Sequence, residues 1–468
     1  MSAPRVWVGT LALLATLVAT PAAPAAPALA PQAVAQSCTT RQLAPGPGVD
    51  SRTVTSPVPG LLQARLSAAS GDWDLGVFSA ATGARVAGSA YSGSSELAEG
   101  FVASGERLVV QACRRSGAAA TADLRLSWDA ISPLGAVPPS LVRVDTPTRA
   151  AKDALLGLGL DVTEHGGPGF VDVVLGVGDA PRLAGASLDF RTLVPDLAAQ
   201  SRAQRQQDAT YASAVQASAL PSGSTGYRRL ADYGEEMKQL AWENPNLVRE
   251  LTLPLRTYEG RPVEGIEISQ NVGAADGKPV FLQMGVHHAR EWPSGEHAIE
   301  WAHELVNGYK AGDPRVRDLM ASTRTIIVPV VNPDGFNISR EAGELQGGGG
   351  GRGGDANQEL INIVSHPYEY RRKNCRLVTD APSGNCLQPS LGLAEPGVDP
   401  NRNYGGFWGG PGASTDPTAQ DYRGPGPFSE PESQNIRRLV SRNQVTTLIT
   451  NHTYSNLVLR PPGIQSQG

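Results

Sequence analysis

The sequence predicts an α/β protein whose largest domain is built on a parallel or mixed sheet. Two near-continuous apolar runs, "PVFLQMGV" at 279–286 and "RTIIVPVV" at 324–331, are typical of strands buried on both faces. A helical segment, Gly295–Tyr309, lies between them, and the order strand, helix, strand favours a parallel or mixed sheet. The chain has 468 residues, too many for one ordinary domain, so we expect further domains.

The N-terminus has the pattern of a secretory signal peptide. Arg5 precedes about fifteen largely apolar residues, and Ala33-Val34-Ala35 forms a cleavage site of the A-x-A type. The apolar stretch is too short to cross a bilayer comfortably, and no other stretch approaches the roughly 18 apolar residues of a membrane span. We therefore expect residues 1–35 to be removed and the mature chain to be secreted, soluble and free of membrane contact.

The cysteines and the net charge indicate disulfide bonds and give no sign of nucleic-acid binding. An even number of cysteines in an exported chain favours disulfides. Three pairings are possible, and the most local choice pairs Cys38 with Cys113 and Cys375 with Cys386. The formal net charge of −5 is mild, and without a basic stripe the sequence does not indicate nucleic-acid binding.

Two smaller domains are predicted before the α/β domain. Short alternating runs such as "WDLGVF" and "RLVVQAC" fill residues 36–135 and predict a small β-sandwich, which resembles the pre-peptidase modules of secreted bacterial proteases. Residues 136–224 then follow the order β-α-β-β-α-β, the ferredoxin-like pattern, and end in a polar connecting helix and linker.

The third predicted domain, residues 225–468, begins with an amphipathic helix. Apolar residues recur at helical spacing along one face, namely Leu230, Tyr233, Met237, Leu240 and Ala241. The low-complexity stretch "GGGGGRGG" at 347–354 predicts a flexible surface insertion.

A histidine motif follows the first buried strand of this domain. "GVHHAREW" at 285–292 lies beyond the carboxyl end of that strand, where ligands bind in open α/β sheets. A His-x-x-Glu spacing can supply two zinc ligands. The spacing recurs at His297 and Glu300, but there it falls on the helix face opposite the apolar residues. We interpret that second pair as a solvated helix face.

Five ordered blocks resemble those of the zinc carboxypeptidase family, the carboxypeptidase A-like metallopeptidases. They cover about half of the chain and are "HAREW" at 288–292, "NPDGF" at 332–336, "RRKN" at 371–374, "GVDPNRNY" at 397–404 and "NHTYS" at 451–455. The resemblance implies an α/β mixed-sheet catalytic domain, and the region before it is similar in place and pattern to the propeptides of this family.

The resemblance implies one zinc ion, bound by His288, Glu291 and His452. It places His287 at a position that is usually not a ligand, so we expect that side chain to be a packed or solvated neighbour. Asp399 suits a supporting role, in which a carboxylate orients a histidine ligand through the ring nitrogen that does not bind metal.

The same blocks imply the residues that contact substrate. Arg372 would stabilise the oxyanion formed during peptide hydrolysis. An arginine binds a free carboxylate with two parallel hydrogen bonds, and an adjacent amide adds another. The residues expected to bind substrate are Arg290, Asn401, Arg402 and Tyr454.

These expectations combine into a secreted zinc metallocarboxypeptidase that acts, as a monomer, on peptides or proteins with a free C-terminus. The family domain normally continues well beyond the position of His452 and carries its general base there, whereas 16 residues follow here, without Asp or Glu. We therefore expect the chain to be truncated, and inactive as written. The alternatives are a zinc-containing peptide-binding pseudoenzyme and a cell-wall peptide hydrolase on the same site template.

Other carboxylates near the blocks are not expected to replace that base. The helical spacing places Glu296 and Glu300 toward solvent. Glu430 and Glu432 precede a helix, and we expect them to cap it.

Overall fold

The computed structural model describes the chain from residue 37 to residue 459 with several gaps. The described ranges are 37–42, 48–131, 138–176, 178–214, 218–346, 368–376, 396–453 and 458–459, with the single residues 360 and 387. The predicted signal peptide, the glycine-rich stretch at 347–354, Tyr454 and Cys386 lie outside them. Among the described residues, no helix is both long and apolar enough to cross a membrane.

Residues 37–131, which we call the β module, contain seven strands in the part described. They are β1 (Val49–Thr55), β2 (Gly60–Ala68), β3 (Asp72–Ser79), β4 (Arg85–Ser89), β5 (Ser95–Val102), β6 (Arg107–Ser116) and β7 (Ala122–Ala130). One sheet has the order β1-β6-β3-β4 and the other the order β5-β2-β7, with antiparallel neighbours throughout. Apolar side chains of both sheets share one core.

A disulfide joins Cys38 to Cys113, which confirms the local pairing for these two cysteines. Cys375 is also disulfide-bonded, and no free cysteine is found in the described part of the chain.

Residues 138–214, the middle region, alternate strands and helices. The elements are β8 (Ser140–Asp145), α1 (Arg149–Gly157), β9 (Asp161–Gly167), β10 (Phe170–Leu175), α2 (Asp179–Gly185), β11 (Phe190–Val194) and α3 (Leu197–Ala214). The sheet order is β11-β8-β10-β9, and each neighbouring pair is antiparallel. Thr148 begins α1 by accepting a hydrogen bond from the Ala151 amide on its side chain, as a helix N-cap requires.

Residues 218–453, the C-terminal domain, are built on a five-stranded sheet. The strands are β12 (Val248–Thr252), β13 (Glu264–Ile268), β14 (Val280–Met284), β15 (Arg324–Val328) and β16 (Val445–Thr450), in the order β12-β13-β15-β14-β16. β14 is parallel to β15 and β16, whereas β13 is antiparallel to β12 and β15. The sheet is therefore mixed, which confirms the predicted α/β architecture of this domain.

Helices cover this sheet. They are α4 (Leu230–Glu243), α5 (Trp292–Ala311), α6 (Pro314–Ser322), α7 (Pro333–Gln346) and α8 (Pro431–Arg442). The five apolar residues predicted on one face of α4 are all buried. Every residue of β15 is buried, because helices cover both of its faces: Ile327 packs in the core cluster with residues of α4 and α5, and Ile326 packs in the cluster with residues of α8.

Candidate metal and substrate site

The histidine motif lies where two parallel strands end. His287 and His288 follow β14, and His452 follows β16 two residues after Thr450, which pairs with Met284 in the register. Adjacent parallel strands present their carboxyl ends at the same sheet edge. Residues separated by more than 160 positions are therefore brought to one place.

The backbone before the histidines is closely packed. A Cβ atom on Gly285 would lie 2.5 Å from the Ser294 carbonyl oxygen and 2.8 Å from that of Pro329, so this position requires glycine. Val286 has φ +45°, a strained conformation for a β-branched residue, and its amide donates to the Ser294 hydroxyl at 2.8 Å. Such strain is concentrated at functional sites, and here it directs the next two side chains.

His288, Glu291 and His452 form one cluster whose candidate ligand atoms lie within 4.8 Å of one another. The Glu291 carboxylate is 2.7 Å from His288 Nδ1 and 2.8 Å from His452 Nδ1. His288 and Glu291 are buried, and His452 is half-buried. Two imidazoles and a carboxylate are the donor set of catalytic zinc sites with three protein ligands. The residues present therefore fit a zinc ion.

The charge state of Glu291 suits a ligand. Burial raises its pKa, but the charge of His288 and the hydrogen bonds from His288 and His452 outweigh burial and hold the pKa far below its usual value. Glu291 is therefore a carboxylate at neutral pH.

Asp399 links the cluster to two other blocks. One carboxylate oxygen lies 3.3 Å from His288 Nε2 and accepts the Asn401 amide at 2.8 Å, and the other accepts Arg372 Nε at 2.9 Å. Burial raises the pKa of Asp399, but the charges of Arg372, His288 and Arg402 lower it well below its ordinary value. A fixed negative charge thus lies between the predicted ligand His288 and the predicted oxyanion group Arg372.

Asn401 and Arg402 lie in the 3-10 turn Pro400–Arg402, which Asp399 begins. Both side chains are half-buried. Arg402 Nε donates to the Gly412 carbonyl at 2.7 Å, so the loop that follows the turn holds the guanidinium. Asp399 therefore connects Arg372 and the Asn401 amide to His288, and Arg402 lies in the turn that Asp399 begins.

Arg290, predicted to bind substrate, makes a contact that the sequence did not indicate. Its guanidinium pairs bidentately with Asp161 on β9, with 2.7 Å between Nη2 and Oδ1. Arg290 and Glu291 line a cavity of about 640 Å³ together with residues of the middle region, among them Leu197 and Ser201. Tyr454, the remaining predicted substrate residue, lies outside the described residues.

His287 is a packed neighbour of the cluster. Its Nε2 is 2.7 Å from the Tyr404 hydroxyl and its Nδ1 is 2.9 Å from the Thr450 hydroxyl. Burial, together with the charges of His452 and His288, lowers its pKa to about 3. Both ring nitrogens are occupied, which supports His288 as the ligand of the pair. Sequence reasoning assigned no role to Tyr404 or Thr450, although both fall beside quoted motifs.

The predicted solvent exposure of Glu296 and Glu300 is wrong. Glu300 is buried and accepts a hydrogen bond from Arg228 Nη2 at 2.8 Å, and Glu296 also pairs with Arg228. Ser222 donates to Glu300 as well. The reason is that the segment before α4 lies over this face of α5, a tertiary contact that helical periodicity cannot indicate.

The predicted capping is wrong for Glu430, whereas Glu432 lies in the first turn of α8 and its carboxyl group contacts its own backbone amide. Glu430 occupies the N-cap position of α8, but its side chain makes no capping hydrogen bond. Its buried carboxylate instead accepts from Asn374 Nδ2 at 2.8 Å and from Arg376 Nη1 at 2.7 Å. Glu432 is also buried and accepts from Asn374 at 3.1 Å. These carboxylates fix the "RRKN" block against α8.

The mixed sheet and the His-Glu-His cluster define a protein of the zinc metallopeptidase class. The sequence model described as zinc carboxypeptidase matches residues 233–467, half of the chain. The chain therefore belongs to the zinc carboxypeptidase family.

Known relatives agree with this assignment. Carboxypeptidase A2 of Mus musculus is 30% identical over 239 residues, 51% of this chain and 47% of the relative. A zinc carboxypeptidase of Saccharothrix mutabilis subsp. capreolus is 28% identical over 254 residues, 52% of this chain and 49% of the relative. The chain thus spans about half the length of these curated relatives.

A solved structure supports the fold. The carboxypeptidase A from Helicoverpa armigera superposes with a TM-score of 0.51 at 23% identity, and the match covers 68% of this chain and 70% of that one. At this identity the likeness concerns architecture and carries no argument about substrate.

Proposed function

We propose that this protein is a secreted zinc metallocarboxypeptidase precursor that removes C-terminal residues from peptides and proteins. One observation carries the proposal: the cluster of His288, Glu291 and His452 lies beside two arginines, Arg372 and Arg402, at the carboxyl edge of the sheet. A metal-binding cluster next to cationic groups suits a substrate that has both a peptide carbonyl and a terminal carboxylate.

The proposed roles follow from where each group is held. Zinc bound by the cluster would act as a Lewis acid and lower the pKa of a bound water. Arg372, fixed by Asp399, is placed to stabilise negative charge on a carbonyl oxygen. Arg402 and Asn401 supply a guanidinium and an amide for a free carboxylate. Asp399 holds the orientation of His288 from the ring nitrogen opposite Glu291.

The two regions before the C-terminal domain also receive a proposal. We infer that the β module is a β-sandwich, because its two antiparallel sheets share one core. We infer that the middle region is a ferredoxin-like propeptide, because β-α-β-β-α-β elements form a sheet in the order β11-β8-β10-β9. Asp161 of this region accepts hydrogen bonds from Arg290, which lines the same cavity as Glu291. Substrate would enter after this contact is lost.

The experiment compares peptides with free and amidated C-termini before and after limited proteolysis of the chain. We expect affinity for the free peptide in this chain, and chelator-sensitive release of its last residue in a chain extended by the general-base region of the family. We expect little of either for the amidated peptide. Arg402→Ala should weaken handling of the free peptide by about 2–5 kcal/mol, the cost of leaving one partner of a buried charged pair unmatched. Arg315→Ala, at an exposed position of α6 in the C-terminal domain, is the matched control.

Two outcomes separate the alternatives. Equal handling of free and amidated peptides would show that the protein does not recognise a terminal carboxylate, and the proposal would be wrong. Selective binding of the free peptide without release of its last residue would favour the peptide-binding pseudoenzyme.

A further inference from the structure

A buried ion pair joins the β module to the C-terminal domain. Arg261 pairs with Glu99 of β5, and the side chains of both residues are 0% exposed. Arg261 also pairs with Glu259 and lies 2.9 Å from Asp334 of the "NPDGF" block. Glu99 pairs with Nη2 of Arg261, whereas Nη1 is shared by Glu259 and Asp334, so loss of Glu99 would leave a buried cationic donor without its acceptor. The C-terminal domain therefore depends on a carboxylate that the β module provides.

Further ion pairs join the two regions, and each region supplies both basic and acidic side chains. Lys238 of α4 lies 3.1 Å from Asp72 and 3.1 Å from Asp74 on β3. In the opposite sense, Arg115 of β6 pairs with Glu235 at 2.9 Å. These charges come from both regions, so each region would expose unmatched buried charge without the other.

Arg85 of β4 adds a bidentate pair with Asp232 of α4, at 2.6 and 2.8 Å. Helix α4 packs so closely against β4 and the following turn that the contact positions are glycines. A Cβ atom on Gly234 would lie 2.6 Å from the Ala90 carbonyl oxygen, and one on Gly88 would lie 3.2 Å from Ala231 Cβ. This spacing is that of a protein interior rather than of two loosely docked domains.

Apolar side chains continue across the same surface. Tyr91 belongs to the core cluster that contains Leu230 and Tyr233 of α4. Phe101 shares a second cluster with Ile338 of α7, and its ring stacks on that of Tyr368 with 5.7 Å between centroids. Two of the apolar cores of the protein are thus completed by residues of the β module.

The middle region has an apolar core of its own. The apolar cluster that contains its strands β8 and β10 is formed by residues of the middle region alone. Its contacts with the C-terminal domain include the Asp161–Arg290 pair, a hydrogen bond from Ser201 to Glu369 at 2.7 Å, and one from Tyr370 to the Leu197 carbonyl at 2.7 Å. These side-chain contacts are polar. Gly159 also packs against the C-terminal domain, since a Cβ atom there would lie 2.8 Å from Ala419 Cβ.

We propose that the β module is a permanent subunit of the C-terminal domain, so that cleavage on both sides of the middle region leaves a non-covalent two-chain complex. This inference concerns the association of two parts of the chain and does not rest on the proposed peptidase function. A structural path also connects the module to the metal cluster. Asp334 contacts Arg261, and Asn332 in the same block donates to the His287 carbonyl at 3.2 Å.

The test uses the full chain with a protease recognition sequence inserted between Ile131 and Pro138 and another between Ala214 and Ser218. After digestion, we expect the β-module fragment to co-elute with the C-terminal fragment in size-exclusion chromatography, in low salt and in 1 M NaCl, because buried pairs are poorly screened. Elution of the β-module fragment in a separate fraction at either salt concentration would overturn the proposal.

A matched pair of variants tests the role of the buried charge. Glu99→Gln should raise the dissociation constant of the nicked complex about 100-fold or more, the factor that corresponds to a broken buried pair. Asp161→Asn, which removes a carboxylate from the middle region, should leave that constant unchanged. If Glu99→Gln proves unstable, the co-elution of the nicked parent still decides the proposal. Equal dissociation constants for parent and Glu99→Gln would contradict the assigned anchor.

Discussion

The β module and the middle region both precede the C-terminal domain in the chain, but they contact it through different chemistry. The module contributes Glu99, Asp74 and Phe101 to buried pairs and shared cores. The middle region has an apolar cluster of its own and reaches across with side chains such as Asp161 and Ser201. Position along the chain therefore does not indicate which of the two regions is structurally required.

The difference is energetic as well as geometric. A buried charge that loses its partner costs several kcal/mol, whereas an exposed pair contributes at most about 1 kcal/mol. Arg261 and Glu99 are fully buried, while the side chains of Arg290 and Asp161 are 16% and 11% exposed. We therefore expect substitutions at the first surface to destabilise the fold and those at the second to release a contact.

The largest expected effect compares these two carboxylates. Glu99→Ala should lower the free energy of unfolding by about 3 kcal/mol, because the buried Nη2 of Arg261 loses its acceptor while Nη1 stays paired with Glu259 and Asp334. Asp161→Ala should lower it by less, about 1–2 kcal/mol, because the Asp161–Arg290 pair keeps some contact with solvent. Urea denaturation followed by circular dichroism measures both. Equal losses would show that the two surfaces do not differ in the way described.

A pair of glycines sharpens the comparison through packing alone. Gly234→Ala should cost about 1–3 kcal/mol, because the added methyl group would meet the Ala90 carbonyl at 2.6 Å. Gly185 ends α2 in the middle region, and a Cβ there meets nothing within 4 Å, so Gly185→Ala should be neutral or stabilise by up to about 1 kcal/mol. The melting temperature should therefore fall in Gly234→Ala and stay the same or rise in Gly185→Ala. A Gly234→Ala protein as stable as the parent would contradict the close approach of α4 to the module.

A smaller effect concerns pH. Burial raises the pKa of Glu264, whose carboxylate accepts the Ser92 amide at 2.8 Å, from 4.5 to about 8. Lys238, Glu250 and Asp72 are the other charged groups that influence it. Because the folded pKa is raised, the stabilising contribution is complete below pH 4.5 and is lost as the pH rises toward 8.

The measurement is the free energy of unfolding between pH 5 and pH 8.5. In Glu264→Gln the free energy of unfolding should fall less steeply as the pH rises. The slope should change by less than the value for one proton, about 1.4 kcal/mol per pH unit. The exposed carboxylate Asp50 provides the control Asp50→Asn, which should keep the parent slope. An unchanged slope in Glu264→Gln would show that this carboxyl group is ionised throughout.

Local patterns predicted much of the C-terminal domain. The apolar face of α4 and the buried strands β14 and β15 follow from periodicity and composition, and the structure confirms them. The order of the five blocks identified the family, and the ends of β14 and β16 explain why His288 and His452 meet.

Long-range charge pairing could not be predicted in this way. Glu300 was expected in solvent because its helix face is polar, yet Arg228, 72 residues earlier, covers it. Arg261 and Glu99 are 162 residues apart, and neither belongs to a motif. A charged residue has the same appearance in the sequence whether it is solvated or buried beside a partner. The expected inactivity of the 468-residue chain stays a prediction.

The central claim, that His288, Glu291 and His452 hold one zinc ion, is tested most directly by metal content. Zinc per chain is measured by mass spectrometry after dialysis of the parent, His288→Ala and His287→Ala. Asp399→Asn is included because loss of a supporting carboxylate should weaken zinc affinity about 10–100-fold. We predict one zinc per chain in the parent and in His287→Ala, and almost none in His288→Ala. Equal loss of zinc from His287→Ala and His288→Ala would contradict the assignment.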